Sequence, residues 1–96
     1  MDFKEEHMAK RKKIYQLPNA PLAPGDKGMD VDRLQQALDH ILKYKVKERL
    51  QTTEPGWYGV RTATAVWLFR EKSGIKADFD FDKLARQKLR EALSCR

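Results

Sequence analysis

The chain has 96 residues, 35% of them charged and 41% hydrophobic, with a formal net charge of +6. That length and mixture describe one small folded domain rather than a disordered or multi-domain chain. No apolar run approaches the ~20 residues of a membrane-spanning helix, and a single cysteine, Cys95, excludes an internal disulfide, so the fold must stand on its own core.

Residues 1–13 are charged and lack periodicity, which predicts a disordered tail. Lys10, Arg11, Lys12 and Lys13 form a basic run that suits a nuclear-import signal or a phosphate-seeking arm, and equally a plain solvated charge cluster. The opening segment has no apolar core of the kind a secretory leader carries. Localisation is left open between the cell envelope, if the domain belongs to a wall-targeted protein, and an intracellular site.

Residues 14–25, IYQLPNAPLAPG, hold three prolines. Proline removes backbone donors and favours extended or turn geometry, so an extended arm is expected. Its apolar side chains, Ile14, Tyr15, Leu17 and Leu22, would be costly to leave in water and are expected to pack across the domain.

The remainder, residues 26–96, reads as three helices. In the first, Asp30 is placed as an N-cap able to accept from first-turn amides. Val31, Leu34, Leu38, Ile41 and Leu42 follow at helical spacing. This helix either ends near Tyr44 or continues through Val46 to Leu50. Pro55, Gly56 and Gly59 then enforce a turn. A second helix begins near Arg61 or Thr62 and runs to about Ser73, where Gly74 supplies the left-handed residue that closes many helices. Asp80 or Asp82 caps a third, which turns Leu84, Ala85, Leu89, Ala92 and Leu93 inward. Short helices on short connections make an all-α, compact three-helix bundle, and no segment alternates with period two over a strand's length.

Three ordered blocks in this stretch resemble a known family. Leu22, Gly25, Gly28, Asp30, Val31, Leu34, Gln35 and Leu38 form the first. Gly56, Gly59, Thr62, Ala65, Val66 and Phe69 form the second, and GIKAD at 74–78 the third. Together they resemble the peptidoglycan-binding domain-like fold over roughly residues 22–93. That module is found beside wall hydrolases, amidases, carboxypeptidases and transpeptidases, and a relative forms part of metalloprotease propeptides. The resemblance implies a non-catalytic module that targets a parent protein to cell-wall glycan-peptide. It also implies an aromatic, buried residue before the second loop glycine, which is Tyr58 here. Departures occur where wall fragments sit in family members. Pro55 replaces the usual Asp before the first loop glycine, Arg70 the usual Gln after the helix-two Phe, and Phe79 the usual Gly after the Asp that follows helix two.

The candidate ligand-binding residues are Trp57, Tyr58, Arg61, Trp67 and Arg70. An indole or phenol ring stacks on a sugar or base while its NH or OH donates a hydrogen bond. In the loop, Trp57 and Tyr58 either serve a ligand or plug the open end of the bundle. On a helical wheel Val66, Phe69 and Ala65 share a stripe with Thr62, while Trp67 falls roughly 140° from Thr62. Trp67 is then either a contact surface or covered by the arm. Arg61 and Arg70 are candidates to clamp a carboxylate or phosphate, beside the partial positive charge of a helix N-terminus. Residues 60–77 carry Arg61, Arg70, Lys72 and Lys76 against Glu71 alone, a local excess that attracts anions.

His7, His40 and Cys95 do not form a metal-ligand set, and no nucleophile elbow, phosphate loop or HExxH is present. No enzyme activity, cofactor or metal is therefore expected. A peptidoglycan fragment or a parent or partner protein is the expected partner, and a monomer the expected state. The alternative is a repurposed protein- or nucleic-acid-interaction module. It would use the basic, aromatic face around helix two, with Lys10, Arg11, Lys12, Lys13, Arg61 and Arg70 available to phosphates.

Overall fold

A computed structural model describes residues 15–42 and 55–94. The charged tail, Ile14, the continuation toward Val46 and Leu50, and Cys95 all lie outside the described residues. Three helices occur in the order α1 (Met29–Ile41), α2 (Val60–Lys72) and α3 (Lys83–Ser94). Among the described residues there is no strand, only the isolated antiparallel bridges Leu22–Phe81 and Lys27–Trp57.

The helices follow from the spacing of apolar residues. α1 buries Val31, Leu34, Ala37, Leu38 and Ile41, the one-sided stripe that a 3.6-residue period produces. α2 buries Thr62, Ala63, Ala65, Val66, Phe69 and Arg70. α3 buries Ala85 and Leu89, with Ala92 and Leu93 partly buried against the core. α1 is the central element and packs against both α2 and α3. Tyr58 and Phe81, from the segments before α2 and α3, complete the core and are wholly inaccessible. Removing a buried Leu, Val or Phe side chain from such a core costs roughly 1.5–3 kcal/mol in lost apolar burial alone.

Helix boundaries agree with the turn chemistry. Gly74, with φ of 82°, follows α2 in the left-handed region that side chains with a Cβ resist. Asp82 caps α3, accepting the Ala85 N–H at Oδ1 over 2.9 Å. Asp30 does not cap α1. The N-cap is Gly28, whose φ of 128° bends the chain and which offers no side-chain acceptor. Asp30 lies one residue inside Met29 in the first turn, and its carboxylate instead holds the arm. Asn19 donates its backbone N–H to Oδ1 at 3.1 Å and its Nδ2 to Oδ2 at 3.3 Å.

The arm thus docks by side chain and backbone together. Pro18 is fully buried, and Tyr15, Leu17, Ala20 and Leu22 pack partly buried on the core. Tyr15 stacks on His40 of α1 with ring centroids 4.5 Å apart. Pro18 accepts the Arg86 Nε–H from α3 at 2.8 Å, and Leu22 exchanges both backbone bonds with Phe81 at 2.8 Å. These contacts run along α1 and then to α3. Leu84 departs from the expected inward set: it is 46% exposed. It sits one residue, about 100°, from the Ala85–Leu89 line and so points to water.

Candidate functional site

Of the candidate residues Trp57, Tyr58 and Arg61 sit at the turn that starts α2, with Trp67 and Arg70 further along the helix, and that turn is fixed from beneath by a buried amide. Gln35 of α1, 3% exposed, accepts the Gly56 N–H at Oε1 over 2.7 Å. Its Nε2 donates to the Trp57 carbonyl at 2.8 Å and to Thr62 Oγ1 at 2.9 Å. Both ends of one side chain are therefore committed to the loop and the first turn of α2, as a buried amide requires. The loop also pairs with the segment before α1. Gly28 N–H donates to Gly56 O at 2.9 Å, Tyr58 N–H to Asp26 O at 2.9 Å and Gly25 N–H to Tyr58 O at 2.8 Å. In the sequence Gln35 is one position of the first motif block. Its position among the apolar residues of α1 was the available signal.

The five candidates separate into an inner and an outer group. Tyr58 is inaccessible, and its hydroxyl donates to the Phe79 carbonyl in the α2–α3 connection. Burial pushes that hydroxyl far above the ordinary tyrosine pKa, and the charges of Asp80 and Asp26 push it the same way. Arg70 is 5% exposed. It donates Nε to the Lys76 carbonyl at 2.8 Å, and Nη1 to the Asp80 carbonyl at 3.3 Å and to Asp82 Oδ1 at 2.8 Å. This guanidinium ties the end of α2 to the cap of α3, and burial withholds it from a ligand at the surface. For Asp82, burial favours protonation, but the bonds from the Ala85 N–H and the Arg70 guanidinium outweigh it and hold the carboxyl below its usual pKa.

Trp57, Arg61 and Trp67 form the outer group. Trp57 is 37% and Trp67 36% exposed, and Val60 beside them is 79% exposed. Trp57 lies flat over Gly59. A Cβ built on Gly59 would stand 2.8 Å from Trp57 Cε3 and 2.9 Å from Cη2, so glycine there makes room for the indole. Gly59 itself has a φ of −98°, so no left-handed backbone requirement applies. Val60, Thr64 and Trp67 recur at i, i+4 and i+7 along one exposed strip of α2. Arg61, also exposed, lies roughly 120° around the helix from Trp67, to one side of the strip rather than on it. No acid occupies the first turn of α2, which leaves Arg61 as its charged residue.

Asp78, Asp80 and Asp82 follow one another at alternate positions, and the carboxylates of Asp78 and Asp82 are engaged within the protein. Asp78 Oδ1 accepts the Phe79 N–H at 2.6 Å and the Asp80 N–H at 3.3 Å, and Asp82 serves α3 and Arg70. Among the described residues no group of three His, Cys, Asp or Glu could hold a metal ion, and no helix is long and apolar enough to cross a membrane. No protein-family model, curated protein or solved structure matches the chain.

Proposed function

We propose that this chain is a non-catalytic binding module of the peptidoglycan-binding domain-like type, and that it directs a parent protein to cell-wall glycan-peptide. The observation that carries the reading is the partial exposure of two indoles, Trp57 at the fixed turn that begins α2 and Trp67 about two turns along that helix. Indole faces suit sugar rings, which present C–H groups to the π cloud and hydroxyls to the indole N–H. Arg61 stands at the same turn to meet a stem-peptide carboxylate. The spacing of the glycine and apolar blocks, and the burial of the aromatic before Gly59, support the family reading.

Co-sedimentation with purified, insoluble cell-wall sacculi tests it. The chain is expected to pellet with sacculi, and Trp57→Ala with Trp67→Ala to stay in the supernatant while keeping its helical circular dichroism. Equal recovery of wild type and double variant in the pellet would remove the indoles from the reading, and failure of the wild type to pellet would remove the wall.

A partner protein is the second reading, favoured by Val60. An aliphatic side chain 79% exposed in line with Trp67 gives an apolar strip that suits another protein's surface better than a sugar. The nucleic-acid version of that reading has lost Arg70 to the interior.

A further inference from the structure

We infer that the groove between the N-terminal arm and α3 is a docking site for an acidic peptide segment of a partner protein. The groove has a volume of about 570 Å³. Ala20 forms the arm side, and Lys83, Arg86, Gln87, Arg90 and Glu91 form the α3 side. Lys83, Arg86 and Arg90 lie within roughly 60° of one another around the helix, and span about 10 Å of its length. This is a row of cations facing outward beside a wall.

Three features leave the row open to an anion. The first is pairing. Arg33, Arg70 and Lys88 each have a carboxylate partner, at 3.6, 2.8 and 3.8 Å, whereas Lys83, Arg86 and Arg90, like Arg61, Lys72 and Lys76, have no ion pair among the described residues, and these three alone line one groove. Secondly, the row begins at the wrong end of the helix for stability. α3 has no acid in its first turn and no base in its last, so Lys83 and Arg86 add to the positive end of the helix dipole instead of offsetting the negative one. Thirdly, Arg86 is held in place: its Nε–H is fixed on the Pro18 carbonyl at 2.8 Å, which orients the guanidinium before any ligand arrives.

The lining chooses among anions. It contains no aromatic ring, and single-stranded nucleic acids rely on such rings for base stacking. Glu91 within the groove, 3.4 Å from Gln87 Nε2 and 3.8 Å from Lys88 Nζ, repels a continuous phosphate backbone. A peptide can place carboxylates on the three cations and a neutral residue opposite Glu91. The fork of each arginine suits a carboxylate's two oxygens.

Fluorescence anisotropy with a labelled acidic peptide of five glutamates interrupted by one central alanine, and the full 96-residue chain, tests the inference. Lys83→Ala with Arg90→Ala should weaken binding by about tenfold or more at low salt, and R90E alone should do the same. Lys72→Ala with Lys76→Ala removes the same charge elsewhere and should change it less than about twofold. Trp57→Ala with Trp67→Ala should leave it intact, which separates this site from the α2 face. Absence of binding of this peptide by the wild type would overturn the proposal. So would equal losses in the two lysine-containing variants, or tighter binding of an equally long oligothymidylate.

Discussion

Gln35 Nε2 and Thr62 Oγ1 stand 2.9 Å apart in the core, joining the second turn of α1 to the first turn of α2. Because the same amide also holds the Gly56 N–H and the Trp57 carbonyl, one polar side chain fixes the loop backbone and the start of α2. Gln35→Leu leaves the Gly56 N–H, the Trp57 carbonyl and the Thr62 hydroxyl without this partner. The expected loss is about 2–4 kcal/mol in urea unfolding. Thr62→Val, which removes one acceptor at nearly constant volume, should cost about 1 kcal/mol. The double variant should lose less than the sum, since the two residues share a bond.

Arg70 and Asp82 supply a second joint, between α2 and α3, with a pH signature. Asp82 has a depressed carboxyl pKa in the folded chain. Its contribution is therefore present above the unfolded carboxylate value of about 3.9, and is lost as pH falls through the folded value. Asp82→Asn keeps a capping oxygen but removes the charge. It should cost about 1 kcal/mol at neutral pH, a modest value because the Asp82 side chain is 49% exposed. The gap to wild type should close in acid. Arg70→Ala strips three hydrogen bonds from a buried position and should cost about 2–3 kcal/mol. Thermal unfolding from pH 7 to pH 2 checks both.

Much of this architecture was legible from apolar spacing alone. Val31, Leu34, Leu38, Val66, Phe69 and Leu89 were expected to form one core, and each is 2% exposed or less. α2 was expected from Arg61 or Thr62 to Ser73 and runs Val60–Lys72. Arg70 was not legible as an interior residue. A guanidinium at the edge of the buried stripe looks like any surface arginine until the α2–α3 connection folds back and brings the Lys76 and Asp80 carbonyls to it. Asp30 failed as a cap for a similar reason. Asp before an apolar stripe is a local signal, whereas its actual partner, Asn19, lies 11 residues away and meets it only through tertiary folding. At the candidate site, loop chemistry pointed to the exposed Trp57. The family resemblance, rather than composition, set the buried Tyr58 apart from it, and Tyr58 is inaccessible.

Tyr58 should titrate only with unfolding. Its hydroxyl pKa is raised in the folded state, so folding is favoured fully below the unfolded tyrosine value of about 10 and progressively less as pH rises above it. Ultraviolet tyrosinate absorption should gain the Tyr58 phenol only at alkaline unfolding. Tyr58→Phe should remove that delayed step and cost about 1–2 kcal/mol through the orphaned Phe79 carbonyl.

Gly59→Ala is a probe of the Trp57 ring. The backbone at φ −98° accepts alanine, so its effect arises where the new methyl meets the indole. Tryptophan emission should shift to the red as Trp57 swings into water, with a stability loss of about 1–2 kcal/mol. Unchanged emission would show that the indole does not rest on Gly59.

The central claim is that the face carrying Trp57, Arg61 and Trp67 receives the ligand. Its most direct test is a ¹⁵N–¹H NMR titration of the full chain with a soluble disaccharide-peptide from the cell wall. The account predicts that the two indole N–H signals and the amides of residues 56–68 move together and saturate with one dissociation constant, while the signals of α3 stay in place. Indole signals that remain still at millimolar ligand, or movement confined to α3, would contradict it.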